Sequence, residues 1–299
     1  MKEGWRTRAI GRHLVDLPGD AKTIETYAYN KVKLEPLPAI KSQSELGNLL
    51  AQEEQALRAT KHISHGSMFI ERVPHANNSV TLISWNRPTG NILYRFDTYF
   101  MVGSSALKYS GDVDPDRKQS ALSVRNDMSR EWNEIQPGRV PAGIGYVANN
   151  AILVDKDLNL ESWSMLIQLA GKPDVSFRIT SYTQYKVEPG LRERAGGVLA
   201  GLLGAVAGVS QLRNRARPVG PIEADEILVA GTQDGKRTYG FKWEAPGKTE
   251  SLGEPNLNVS LRVSESAYLT NKESFASDEE ALELWDAVVD SIRLRPGSV

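Results

Sequence analysis

Four histidines, at positions 13, 62, 65 and 75, are the first side chains to weigh for chemistry at neutral pH. His62 and His65 form an HxxH pair in the run HISHGS. On a helix that spacing sets two imidazoles on one face, as a metal site requires. Gly66 and the β-type run after it argue for a loop instead, and no nearby Asp or Glu completes a ligand set. A serine hydrolase of the elbow type needs G-x-S-x-G; Gly103-Ser104-Ser105 lacks the closing glycine. Neither a phosphate-cradling loop nor a dinucleotide fingerprint occurs. Asp112, Asp114 and Asp116 open like a calcium loop, but the glycine and the terminal glutamate of that motif are missing, so they suit a solvated turn ahead of a helix. No cysteine is present, which removes thiolate catalysis, disulfides and zinc–sulfur sites. These residues predict a protein that is not an enzyme and uses no cofactor.

Composition narrows the partner. The 299 residues carry 36 Lys plus Arg against 37 Asp plus Glu, a formal charge of -1. A balanced chain has no electrostatic pull toward nucleic acid. Its 40% hydrophobic content suits ordinary globular cores. One apolar stretch, Ala195 to Val209, is rich in Gly, Ala, Val and Leu, but is shorter than the roughly 20 residues that cross a bilayer. It is expected as a buried helix, with no integral membrane span. No apolar run follows Met1-Lys2-Glu3-Gly4, so a secretory signal is not visible.

The elements alternate between short strands and single helices. Ala9 to Leu17 and Thr23 to Lys33 read as strands. Ser42-x-x-Glu45 is a capping box that opens a first helix carrying Leu46, Leu49, Leu50 and Leu57. β-type runs follow from Met68 to Tyr109, with Arg87-Pro88-Thr89-Gly90 as a turn between two of them. Asp114-Pro115 starts a second helix, whose stripe is expected to continue through Trp132 and Ile135. Gln136 to Gly143 looks like a break, after which the pattern begins again with strands Ile144 to Val154, Glu161 to Leu169 and Val175 to Tyr185. A helix of roughly Leu191 to Arg213 comes next. Strands Glu226 to Ala230, Arg237 to Glu244 and Leu257 to Ser264 then precede a last helix opened by Ser277-x-x-Glu280. The expected fold class is therefore α+β, with two domains, 1–139 and 140–299, each a mainly antiparallel sheet covered by helices.

Three segments carry a resemblance. GRHLVDLP (Gly11 to Pro18), the run from PIEADE to YGFKWE (Gly220 to Glu244) and EEALELWDAVVDSIRLRP (Glu279 to Pro296) together resemble the immunity proteins that neutralise type VI secretion lipase effectors of the fourth class. That resemblance implies a periplasmic binding protein, its signal segment absent from this sequence. It implies one partner, a cognate phospholipase effector, gripped between two domains so that its lid stays shut. Loops on rigid scaffolds commonly carry such recognition. The expected contact residues are Asn77, Asn78, Arg87, Thr89, Gln233, Asp234 and Lys236. The competing expectations are an envelope-associated lipid-binding protein and a hydrolase with an unrecognised site.

Overall fold

A computed structural model describes residues 2–136, 138–155, 160–194, 209–233, 236–263 and 274–299. The body of the expected helix over Ala195 to Val209, the hairpin tip Asp234-Gly235 and Ser264 lie outside them. In chain order the elements are β1 (Trp5–Ile10), β2 (His13–Pro18), β3 (Lys22–Tyr29), β4 (Val32–Pro36), α1 (Gln43–Ala59), β5 (Phe69–Pro74), β6 (Val80–Trp85), β7 (Tyr94–Val102), β8 (Ser105–Val113), α2 (Lys118–Glu131) and β9 (Trp132–Glu134). The remainder are β10 (Tyr146–Ala148), β11 (Ala151–Leu153), β12 (Ser162–Gln168), β13 (Val175–Tyr182), β14 (Ser210–Ala216), β15 (Asp225–Gln233), β16 (Lys236–Ala245), β17 (Asn256–Val263), α3 (Asp278–Val289) and β18 (Arg293–Leu294). Strand pairing is antiparallel in each sheet, which gives the expected α+β class. No helix among the described residues is long and apolar enough to cross a membrane.

Five expectations are corrected. The single strands expected over Thr23 to Lys33 and Ile144 to Val154 are hairpins turning at Asn30-Lys31 and Asn149-Asn150. The single strand over Ala9 to Leu17 is a hairpin: Ile10 pairs with His13, leaving Gly11 and Arg12 as a two-residue loop. Gly11 has φ +55°, and a Cβ there would lie 2.3 Å from the Trp163 ring, so both its backbone and its neighbour require glycine. The expected helix into Arg213 is not helical at its end, because Ser210–Ala216 forms β14. The second helix stops at Glu131, and Trp132 begins β9 rather than extending the helical stripe.

The chain's contacts gather into two compact units, Met1–Thr26 with Leu158–Val299, and Tyr27–Asp157. In the second unit, the sheet runs β4-β8-β7-β6-β5. Side chains alternate faces along a strand. Val80 and Leu82 of β6 join Leu46 and Leu50 of α1 in one cluster. Ile83, next along the strand, joins Phe96, with Ala121 and Leu122 of α2, in another. The two helices therefore cover opposite faces. Arg125 of α2 sits over the rings of Phe96 and Tyr109, at 5.0 and 5.1 Å.

In the first unit, β14-β15-β16-β17-β13-β12 form the main sheet. Trp285 of α3 packs on Phe177 and Phe241, at 5.7 and 5.6 Å between ring centroids. A small sheet, β1-β2-β18, brings the C-terminus back onto the N-terminal hairpin.

Candidate functional site

The residues expected to make contacts fall on three turns. Asn77 and Asn78 form the exposed turn between β5 and β6, both in the left-handed region at φ 54° and 56°. Asparagine tolerates that conformation better than most residues. Asn77 Nδ2 donates to the Ser129 carbonyl at 2.8 Å and Ala76 N–H donates to Asn126 Oδ1 at 3.2 Å, so the turn is braced on α2. Arg87 and Thr89 are exposed on the loop between β6 and β7. The two turns lie at opposite ends of β6, a strand whose six residues span roughly 20 Å. They do not form one patch.

Gln233 ends β15 and pairs with Lys236 at the start of β16; Asp234 lies outside the described residues. Lys236 is buried, and its ammonium is bonded to Asp174, which also accepts from the Ser274 hydroxyl. Lys236 thus fastens the hairpin base, and its charge is already matched inside the protein.

A second pair of loops was less visible in the sequence. Residues 61–66 pack beside the β6–β7 loop. Ile63 N–H donates to the Pro88 carbonyl at 2.9 Å. His62 Nδ1 accepts from Ser64 N–H at 3.1 Å, so its other nitrogen carries the proton and donates to the Gly90 carbonyl, also at 3.1 Å. His65 stacks on Trp85 with centroids 4.3 Å apart. Both nitrogens of His62 are therefore used in holding the loops together. No group of three or more potential ligand residues gathers among the described residues. Ile63 and Ile92 project from these loops at 75% and 77% exposure. The only sequence signal for them is an aliphatic residue isolated in turn-like surroundings, KHISHG and TGNIL.

The N-terminal hairpin supplies a buried titratable cluster. Arg12 is buried and grips Glu161 through two hydrogen bonds, of 2.9 and 2.6 Å, while donating to the Ser298 carbonyl. Beside it, His13 is buried against Trp163. Burial, helped by the Arg12 charge, pushes the His13 pKa down to about 4. The two residues line a small recess of about 10 Å³, room for about one water, with Glu161, Trp163, Ser181 and Thr183. His13 Nδ1 is buried without a hydrogen-bond partner. The described surface offers braced turns on a rigid sheet, the equipment of a binding protein.

The comparisons give that class its family. The chain belongs to the Tle cognate immunity protein 4 family, whose C-terminal domain profile matches residues 139–297. A chain in the crystal structure of the Tle4–Tli4 complex matches with a TM-score of 0.92 and 35% identity, covering 100% of both chains. The apo structure of TplEi, an immunity protein of the type VI secretion system of Pseudomonas aeruginosa, matches with a TM-score of 0.91 and 35% identity over 99% of each. TplEi complexed with an "L" peptide matches at 0.86 and 32%, covering 99% of this chain and 100% of that one. No curated protein matches. Membership places the chain among immunity proteins, which are not enzymes.

Proposed function

We propose that this protein binds and inhibits a cognate type VI secretion phospholipase effector in the periplasm, holding it between two modules, 1–139 and 140–299, so that its lid cannot open. The observation that carries this reading is end-to-end similarity, at 35% identity, to a chain of the Tle4–Tli4 complex. The start of the family's C-terminal domain at residue 139 supports the two-module division. Inhibition of this kind needs no reactive side chain. It needs complementary surface, on the order of 800 Å² per partner, with a few anchoring residues. Asn77, Asn78, Arg87, Thr89, Gln233 and Asp234 are the proposed contacts, and the buried Lys236–Asp174 pair fastens the start of β16.

The test is titration of a cognate effector with the purified chain while phospholipid hydrolysis is followed. The expected outcome is loss of turnover at one equivalent and a stable complex on size-exclusion chromatography. Unchanged hydrolysis at excess chain, or hydrolysis by the chain alone, would overturn the reading.

A further inference from the structure

Ile63 and Ile92 are the most exposed large hydrophobic side chains among the described residues. They stand on two loops locked to each other by the Ile63–Pro88 and His62–Gly90 hydrogen bonds, with His65 stacked on Trp85 and Tyr94 edge-on to that ring at the base. A locked tip that keeps aliphatic side chains in water is already organised for burial and loses little freedom on docking.

The charge around the tip is one-sided. Neither residues 60–69 nor residues 86–94 include an Asp or Glu. Lys61 and Arg87 are exposed and have no ion-pair partner among the described residues. Carboxylates on the neighbouring strands are already paired: Asp112, 3.5 Å from Asn86 Nδ2, is held by Arg95 at 3.3 Å, and Glu71 by Lys118. Aliphatic side chains within a cationic rim, backed by Trp and Tyr, complement the boundary between phosphate headgroups and acyl chains.

We propose that this paired tip docks the protein on anionic phospholipid surfaces, Ile63 and Ile92 entering the acyl boundary while Lys61 and Arg87 meet phosphates. The protein would then stand at a lipid surface through the loop that carries Arg87 and Thr89, at the end of β6 opposite the turn at Asn77 and Asn78.

The experiment is co-sedimentation of the full chain with vesicles of phosphatidylglycerol and phosphatidylethanolamine, against vesicles of phosphatidylcholine alone. Two surface cations should favour the anionic vesicles by roughly ten- to thirtyfold at low salt, with the preference shrinking as salt rises. The Ile63→Asp/Ile92→Asp double variant should lose sedimentation with either vesicle. Lys61→Ala/Arg87→Ala should abolish the anionic preference while leaving sedimentation on phosphatidylcholine, and since Arg87 is also a proposed effector contact, Lys61→Ala alone should shrink the preference with effector capture unchanged. All four positions are exposed, so thermal midpoints should match the parent, and quenching of Trp85 by brominated acyl chains, absent in Trp85→Phe, gives a second readout. Equal partition on both vesicles, or a double isoleucine variant that sediments like the parent, would overturn the proposal. So would isoleucine variants that lose effector binding but keep vesicle binding, since the tip would then belong to a protein interface.

Discussion

Helix α3 and helix α1 begin with the same cap and are fastened to their sheets by different physics. On α1, Leu46 and Leu50 enter an apolar cluster with Val80, Leu82 and Tyr99, while Glu54 pairs with Arg58 on the helix's own surface and, at 3.4 Å, with the half-exposed Arg72 of β5. α3 buries Ala281, Trp285, Val288 and Val289, and to that apolar face it adds a buried ionic set. Asp278 takes two hydrogen bonds from Arg237, at 2.9 and 2.7 Å, and one from the Tyr239 hydroxyl at 2.8 Å. Asp286 takes two from Arg213, at 2.7 and 2.9 Å. Trp285 Nε1 donates at 2.8 Å to Glu226, a fully buried carboxylate on β15. Arg213, Arg215 and Arg217 all lie within 4 Å of Glu226, and Asp286 and Asp290 complete the balance, three guanidiniums against three carboxylates. Leucines seal a helix over a face that excludes water. A matched set of charges can close one over an edge strand that has little apolar surface, but each partner then depends on the others.

The largest break in that comparison is therefore Glu226→Ala. It removes the carboxylate that pairs with Arg215, takes one partner each from Arg213 and Arg217, and strands the Trp285 N–H, and removing one partner of a buried ionic set costs about 3–5 kcal/mol. Urea unfolding should show that loss, and a change below about 1 kcal/mol would mean that the network does not fasten α3. Acid gives the next largest effect. His13 is neutral in the folded chain, with its pKa lowered from 6.5 to about 4. The unfolded chain takes up a proton between those values and the folded chain does not, so this contribution is fully present above pH 6.5 and is lost as pH falls to about 4. The difference is on the order of 3 kcal/mol. Below that window, Asp278, Glu280 and Asp286 begin to be protonated. Bonds from Arg237 and Lys172 hold the first two carboxyls below their ordinary range, and Arg213 does so for Asp286 against the opposing effect of burial. Their stabilisation, present above the unfolded carboxylate range, is lost as pH drops through their folded values. Hydrogen exchange followed against pH should open α3 before α1, and His13→Gln should flatten stability between pH 6.5 and 4. If α1 opens first, the apolar fastening is not the acid-resistant one.

What the sequence made legible follows the same division. The capping boxes, the leucines of α1 and Trp285 of α3 were visible because apolar spacing and caps are local signals. Strand β14 was not, since its run SQLRNRA has hardly any apolar period; arginines meeting acids on α3 do the covering there. The β1–β2 turn left a usable sign, a glycine at the first position of a two-residue loop, hidden because Leu14, Val15 and Leu17 continued the strand pattern. Of the expected contact residues, the exposed turns at Asn77, Asn78, Arg87 and Thr89 could be read from composition. The burial of Lys236 could not, because its partner Asp174 is 62 residues away in the chain.

The smallest test separates cap from fastening. Ser42 Oγ accepts from Glu45 N–H and Ser277 Oγ from Glu280 N–H, both at 3.3 Å. In each box the glutamate also accepts from the residue before the serine, Lys41 N–H at 2.7 Å and Ala276 N–H at 2.6 Å. Locally the two caps are equivalent, so Ser42→Ala and Ser277→Ala should each cost about 1 kcal/mol, measured by thermal unfolding. The glutamates should differ. Glu280 also binds Lys172 at 2.7 Å, whereas Glu45 makes only local contacts, so Glu280→Ala should exceed Glu45→Ala. A Ser277→Ala cost several times that of Ser42→Ala would mean that the cap and the ionic fastening of α3 form one cooperative unit, and the two helices would differ from their first turn onward.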